Sequence, residues 1–120
     1  MWIDLNEQKP DEDAGAFVLV WHIYQGCMAV RREEWTKNRF FSHWKPVPTE
    51  GWIDARAHPP TAEDGDVWWN CVLAKHSTDG IRVTGWHRVA QDRIYTHWMR
   101  LPDPPENHRE LTKRKGGWKQ

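Results

Sequence analysis

The chain has 120 residues, which is enough for one ordinary domain or for two very small units that share a core. Its formal net charge is zero, so it lacks the strong field that steers nucleic acid or a membrane toward a protein. No apolar run approaches the roughly 18 residues of a membrane-spanning helix, and residues 1–4 do not resemble the start of a signal peptide. We therefore expect a soluble, cytoplasmic protein without a membrane partner.

The numbers and spacing of the cysteines, histidines and tryptophans further restrict the class of protein. Cys27 and Cys71 are too few for a disulfide framework and have no metal-type spacing. No pair of histidines has the i, i+4 spacing of a helical metal site, so we expect neither a metal nor another cofactor. The ten tryptophans are unusual for a chain of this length, and we expect several of them to fill a small core.

The first half of the chain predicts short strands separated by turns. The predicted strands are 2–5, 16–24, 27–35 and 39–44. The run 16–24 is rich in β-branched and aromatic residues and almost continuously apolar, which predicts a central strand covered on both faces. Pro10 and Gly15 mark a polar loop before it, and Gly26 marks the following turn. Pro46 and Pro48 end the last strand because proline cannot donate to a sheet ladder.

The second half repeats this order. The predicted strands are 52–54, 66–74, 81–89 and 93–98. Asp79-Gly80 predicts the turn of a hairpin. Helical periodicity is hard to find, and a helical turn is expected at most in the polar loops 6–14 and 56–64. The last residues carry prolines, glycines and many charges, which predicts a disordered, basic tail at 106–120.

Two pairs of matching stretches indicate a tandem duplication. His97-Trp98 follows His43-Trp44 by 54 residues, and Trp52-Ile53-Asp54 follows Trp2-Ile3-Asp4 by 50 residues. The change of step means that the second copy has four extra residues. We expect these in the hairpin loop 75–80, because loop tips tolerate insertions best.

The closing motif Thr96-His97-Trp98-Met99-Arg100-Leu101-Pro102 resembles that of a phage and bacterial family, domain-of-unknown-function family 551. Members of that family typically open with Trp-Ile and close with Thr-His-Trp-Met-Pro-Leu-Pro. Arg100 departs from this pattern, and the first copy departs more, with Ser42, Lys45 and Val47 in its closing stretch. The resemblance covers residues 2–48 and 52–105. It implies a phage- or prophage-type protein and brings no established activity.

The expected architecture is mainly β. Two repeats of about four short antiparallel strands pack as a pseudo-twofold sandwich or barrel, and the sequence does not choose between the two. The expected domains are a first repeat at 1–50, a second repeat at 51–105 that shares its core, and the flexible tail at 106–120.

The repeated His-Trp pairs are the sharpest candidate binding residues. His43 and Trp44, with His97 and Trp98, would form a ligand or partner pocket in each unit. In the alternative interpretation each Trp packs in the core, and each His points to the opposite strand face and bonds to a backbone carbonyl or a carboxylate. The residue pattern favours this structural role.

A second candidate surface suits single-stranded nucleic acid. Aromatic rings beside arginines stack on bases, and we expect two neighbouring strands to present such a face. Its candidate residues are Arg82, Trp86, Arg88, Arg93 and Tyr95. The basic run 113–115 in the tail could add phosphate contacts. The zero net charge argues against this interpretation.

No pattern points to catalysis. The chain has neither a Gly-rich phosphate loop nor a nucleophile elbow, and Asp4 and Asp54 are expected to cap the turn after the first strand of each repeat. We therefore predict a non-catalytic, protein-binding accessory protein, since exposed aromatics and Arg are enriched at binding hot spots. Single-stranded nucleic-acid binding is the alternative, and an enzyme or metal protein built on His43 and His97 is a weaker third.

Overall fold

A computed structural model of the chain describes residues 2–66 and 69–105. It divides into two units, the first formed by residues 2–46 with 103–105 and the second by Val47–Pro102. The boundary thus lies between Pro46 and Val47, whereas the sequence placed it after residue 50. Residues 103–105 return to the first unit, where the Trp2 indole N–H donates to the Asp103 carbonyl oxygen at 2.6 Å. The predicted tail at 106–120 lies outside the described residues.

The first unit is a four-stranded antiparallel sheet. Its strands are β1 (Ile3–Asp4), β2 (Phe17–His22), β3 (Gly26–Arg31) and β4 (Phe41–Pro46). Their order in the sheet is β1-β4-β2-β3. A 3-10 helix at Glu12–Ala14 precedes β2, and a second at Arg32–Lys37 connects β3 to β4. This second helix occupies the end of the stretch that the sequence predicted as a strand, 27–35.

The second unit is also a four-stranded antiparallel sheet. Its strands are β5 (Ile53–Asp54), β6 (Cys71–His76), β7 (Gly80–Gly85) and β8 (Tyr95–Met99). Their order is β5-β8-β6-β7, which is the order of the first sheet. A 3-10 helix at Ala62–Asp64 precedes β6, and helix α1 (Trp86–Gln91) connects β7 to β8. The prediction of a mainly β protein with two sets of four short antiparallel strands is confirmed.

Helix α1 corrects the predicted strand 81–89, which ends at Gly85. The helix has six residues and carries two large apolar side chains, Trp86 and Val89, three residues apart. Both pack on the core of the second unit, as the i, i+3 spacing of a helix allows. Two large apolar residues in so short a segment cannot distinguish a helical period from loose alternation, so the sequence pattern was ambiguous.

The two sheets match in register as well as in strand order. On β4, Trp44 lies opposite Val20 of β2, and on β8, Trp98 lies opposite Ala74 of β6. Each of these four residues lies 54 positions from its counterpart in the other unit. Residues at this step therefore occupy corresponding places in the two sheets.

Each unit has its own cluster of buried side chains. In the first unit the cluster contains Leu5, Val18, Val20 and Trp44, and in the second it contains Ala55, Val72, Ala74, Val89, Tyr95 and Trp98. Leu19 and Leu73 point to the opposite sheet faces and are also fully buried. β2 and β6 are therefore buried on both faces, as the apolar run predicted for β2.

The four extra residues of the second unit lie before β6. The two hairpins have equal length, because His22 pairs with Gly26 and His76 pairs with Gly80. The interval from Gly15 to the start of β2 is instead four residues shorter than the interval from Gly65 to the start of β6. The predicted insertion in loop 75–80 was therefore wrong. The repeat fixes the length of the insertion, and the strand pairing places it before β6.

Candidate functional site

The tryptophans of the two His-Trp pairs anchor the fold. Trp44 and Trp98 are 3% and 4% exposed. The Trp44 indole N–H donates to the Gln8 carbonyl oxygen at 2.9 Å, and the Trp98 indole N–H donates to the His58 carbonyl oxygen at 2.8 Å. Each bond ties a strand to the loop after the first strand of its unit, so both rings are structural.

The two histidines lie on the opposite sheet faces from these tryptophans. The His43 Nδ1 lies 2.8 Å from the Ser42 hydroxyl oxygen, and the His97 Nδ1 lies 3.1 Å from the Thr96 hydroxyl oxygen. The predicted carbonyl or carboxylate partner is thus replaced by the neighbouring hydroxyl. Burial lowers the pKa of His43, and the negative charges of Asp4 and Glu7 partly offset this effect. Within residues 2–66 and 69–105, no group of three or more His, Cys, Asp or Glu side chains could hold a metal ion.

Asp4 and Asp54 cap turns, as predicted. The Asp4 Oδ1 accepts the backbone N–H of Asn6 at 2.8 Å, and the Asp54 Oδ1 accepts that of Arg56 at 2.8 Å and that of Ala57 at 3.3 Å. These backbone hydrogen bonds lower the pKa of Asp54 because they favour the charged carboxylate.

The candidate nucleic-acid residues do not form one face. β7 and β8 are separated by β6, so they are not the neighbouring strands that the prediction required. The Arg82 guanidinium lies 3.2 Å from the Asp79 carboxylate. Tyr95 is buried and Trp86 packs on the core, whereas Arg88 and Arg93 are exposed. The two rings of this set therefore lie in or against the buried cluster, and only the arginines are exposed.

The sequence interpretation missed a second pair of corresponding histidines. The His22 Nδ1 accepts the backbone N–H groups of Tyr24 and Gln25, both at 3.1 Å, across the β2–β3 hairpin. The His76 Nδ1 accepts two backbone N–H groups across the β6–β7 hairpin in the same way, at 3.2 and 2.9 Å. Burial lowers the pKa of His22. The 54-residue step between these histidines was the signal that could have identified them.

A second feature that the sequence did not reveal lies in the insertion before β6. We name it the Trp69 corner and define it as Asp66, Trp69, Asn70 and Cys71. The Asp66 Oδ1 accepts the backbone N–H of Trp69 at 3.1 Å and that of Cys71 at 2.8 Å. The Asn70 carbonyl accepts the N–H of Trp86 at 3.0 Å, which ties the corner to the start of α1. The Trp69 side chain is 60% exposed.

The backbone of the Trp69 corner is closely packed. Asn70 has a φ of 57°, in the left-handed region that Asn tolerates better than most residues. Gly65 approaches it so closely that a Cβ at position 65 would lie 2.8 Å from the Asn70 backbone. Glycine is therefore required at 65 by space, and the corner holds Trp69 on an ordered backbone.

A cleft of about 370 Å³ opens in the second unit between the turn after β5 and the α1–β8 connection. Its lining includes Arg56 and Arg93 together with Ala55, Val89, Asp92 and Tyr95. The two arginines are exposed, while Ala55, Val89 and Tyr95 belong to the buried cluster of this unit. The cleft thus combines a buried apolar floor with two exposed guanidinium groups.

No helix among the described residues is both long enough and apolar enough to cross a membrane. Comparison of the chain with protein-family models, with curated proteins and with solved structures finds no match. The resemblance of the closing motif to domain-of-unknown-function family 551 stays a prediction from the sequence.

Proposed function

We propose that the chain is a non-catalytic accessory protein that binds a protein partner, with Trp69 at the centre of the contact. The observation that supports this function is the 60% exposure of Trp69 on a hydrogen-bonded corner. Tryptophan is among the residues most enriched at the energetic centres of protein interfaces. Trp69 also belongs to the insertion that distinguishes the second unit from the first.

The order of the Trp69 corner supports binding rather than packing. A backbone that is already fixed loses less conformational entropy when a partner docks on it. The carboxylate of Asp66 holds two N–H groups of the corner, and the Trp86 N–H holds Asn70. The ring is therefore offered to solvent from a pre-organised position.

The structural contacts of the repeated Trp and Asp residues support a non-catalytic role. Trp44 and Trp98 bond to loop carbonyls, and Asp4 and Asp54 cap turns. The family resemblance of the closing motif supports a protein of phage or prophage type. The composition supports a cytoplasmic location. The common strand order and the corresponding hydrogen bonds support an origin of the two units by tandem duplication.

The nucleic-acid alternative has weaker support. Base stacking needs exposed rings beside cations, and Tyr95 and Trp86 lie in or against the buried cluster. Of the cations of the predicted face, Arg82 pairs with Asp79. The basic run 113–115 lies outside the described residues. The burial of Tyr95 and Trp86 and the pairing of Arg82 therefore make the predicted nucleic-acid face the weaker of the two candidates.

Site-specific photo-crosslinking in cells tests the proposal. A photoreactive benzoylphenylalanine replaces Trp69 in one chain and Tyr24 in a control chain, because Tyr24 is an exposed aromatic residue of the first unit. We expect a discrete protein adduct from position 69 and a weaker or absent adduct from position 24. Excess wild-type chain should compete the adduct away, whereas excess Trp69→Ala chain should not.

Two results would contradict a protein partner at Trp69. The first is equal adduct formation from both positions without competition, which would indicate random collisions. The second is an adduct that nuclease removes and protease leaves unchanged, which would select the nucleic-acid alternative.

A further inference from the structure

We propose that the cleft of the second unit binds a small organic carboxylate that has an apolar body. The cleft brings Arg56 and Arg93 together above a floor that includes Val89 and Tyr95. Its volume of about 370 Å³ falls within the range of small-molecule sites. This inference does not depend on the proposed protein partner, because it concerns a different surface.

The charges of the cleft favour an anion. Its lining holds two guanidinium groups and one carboxylate, that of Asp92. The Asp92 Oδ1 already accepts the N–H of Ile94 at 3.1 Å, so this carboxylate has a structural role at the end of α1. The lining therefore carries an excess of positive charge.

The two arginines of the cleft differ from others in the same unit. Arg82 and Arg100 reach carboxylate oxygens of Asp79 and Asp64, at 3.2 and 2.9 Å. In the part of the chain that the structure describes, Arg56 and Arg93 form no ion pair. Asp54 lies close enough to Arg56 for the arginine charge to help lower the pKa of its carboxyl, although the two side chains are not paired. Both guanidinium groups thus retain donors for a ligand.

The chemistry of the lining defines the ligand class. A planar guanidinium presents parallel N–H groups whose spacing matches the two oxygens of a carboxylate. Pro59 and Ala90 are exposed apolar residues of the lining and offer a surface on which the body of the ligand can lie. Val89 and Tyr95 close the cleft from below. A free inorganic anion would use only the arginines, whereas an apolar carboxylate would use the whole lining.

The first unit lacks these features at the corresponding positions. Trp35 stands where the second unit has Val89, and it packs against the core with the Lys9 ammonium 5.9 Å from its ring centre. Asn6 corresponds to Arg56. Arg39 corresponds to Arg93, and its guanidinium lies 5.2 Å from the ring centre of Phe40. The carboxylate site is therefore specific to the second unit.

Titration of the ¹⁵N-labelled full chain with N-acetyl-leucine, observed by amide correlation spectra, tests this site. The neutral N-acetyl-leucinamide is the control ligand, because it keeps the apolar body and removes the charge. We expect saturable shifts confined to residues 55–59 and 89–95 with the acid, and much weaker effects with the amide.

Substitutions of the two cleft arginines test whether these residues bind the acid. Arg93→Gln and Arg56→Asn should each weaken binding of the acid by about three- to tenfold, the loss expected for one charge-assisted contact at an exposed site. Arg39→Gln is the matched control in the first unit and should leave the affinity unchanged. Val89→Trp should fill the cleft and abolish the shifts, and the two arginine variants decide the result if this variant does not fold.

Three results would overturn the proposal. One is the absence of saturable shifts at about 10 mM ligand, which corresponds to a binding free energy too small for a specific site. Another is equal binding of the acid and the amide. The third is an Arg39→Gln effect as large as that of Arg93→Gln.

Discussion

The two units share one framework and differ at two places on it. Both tie the strand that carries the His-Trp pair to an earlier loop by an indole N–H bond, at Trp44 and at Trp98. Both cap their hairpin with a histidine Nδ1. The second unit alone has the inserted Trp69 corner, and it has Val89 where the first has Trp35.

This comparison separates residues that both units share from residues that only the second unit has. Several side chains that recur at steps of 50 and 54 bond to backbone groups or pack in the cores, as Trp44 and Trp98 do. Arg93 also recurs, as Arg39 in the first unit, but it is exposed and lines the cleft. The exposed tryptophan and the cleft occur where the units differ. The sequence-based interpretation placed the binding residues at the recurring His43-Trp44 and His97-Trp98 pairs. Our two proposals concern instead Trp69 and a cleft whose Arg56 and Val89 do not recur.

The largest expected effect on stability is the loss of a buried tryptophan, which tests the framework that the two units share. Trp44→Ala and Trp98→Ala should each reduce the free energy of unfolding by about 3–5 kcal/mol, because each removes a buried ring and leaves a cavity. Urea unfolding followed by far-ultraviolet circular dichroism measures this loss. Trp44→Phe and Trp98→Phe retain a ring but leave a carbonyl without its donor, and should cost about 1–3 kcal/mol. Strongly unequal costs in the two units would show that the bonds are not equivalent.

A smaller effect is expected where the units differ in core volume. Trp35→Val gives the first unit the residue that the second has, and should cost about 1–3 kcal/mol because Trp35 is only half-buried. Urea unfolding again measures the loss. A neutral substitution would mean that Trp35 contributes nothing to its cluster, and the contrast with Val89 would lose its structural meaning.

A substitution in the Trp69 corner should change the free energy of unfolding less than the substitutions in the two cores. Asp66→Ala removes the acceptor of two backbone N–H groups and should reduce the free energy of unfolding by about 1 kcal/mol. Amide hydrogen exchange of Trp69 and Cys71 should become faster in this variant. Asp66→Asn keeps an acceptor oxygen in the same place and serves as the control. Unchanged exchange in Asp66→Ala would contradict an ordered corner.

The smallest expected effect is a loss of stability at acidic pH that comes from the hairpin histidine of the first unit, His22. The His22 Nδ1 accepts two N–H groups only when it is unprotonated, and burial lowers its pKa below the ordinary 6.5. Between the lowered pKa and 6.5 the unfolded chain binds a proton that the folded chain does not. This stabilising contribution is therefore complete above pH 6.5 and is lost as the pH falls through the lowered value.

The midpoint of urea-induced unfolding, measured at several values between about pH 8 and about pH 5, tests this dependence. His22→Asn places an amide oxygen near the position of Nδ1 and cannot titrate, so its midpoint should fall less with acid than that of the wild type. His43, whose pKa is also lowered by burial, accounts for part of the remaining slope. Parallel curves for His22→Asn and the wild type would exclude His22 as the source.

The strands could be predicted from the sequence because their signals are local. The apolar run before Tyr24 gave β2, and Asp79-Gly80 gave the β6–β7 hairpin. Helix α1 was missed because Trp86 and Val89 alone do not define a period. The insertion was misplaced because the repeat fixes its length and leaves its position to strand pairing.

The cleft and the Trp69 corner could not be predicted for a different reason. The cleft joins Ala55 to Val89 and Tyr95, which are distant in the sequence and meet only when β5 pairs with β8. The corner is formed by backbone N–H groups that the Asp66 carboxylate accepts, and nothing in a tryptophan-rich sequence distinguishes the exposed ring of Trp69 from the buried rings.

The solvent accessibility of the indole rings compares the framework and the exposed ring in one experiment, measured in protein labelled with ¹⁵N-tryptophan by the signal broadening that a soluble paramagnetic agent causes. Single Trp→Phe substitutions assign the signals. We predict that Trp44 and Trp98, which are 3% and 4% exposed, are protected to a similar degree, and that the signal of Trp69, which is 60% exposed, is broadened far more than either. A protected Trp69, or a strongly broadened Trp44 or Trp98, would contradict the division of this protein into a common framework and an exposed corner that only the second unit has.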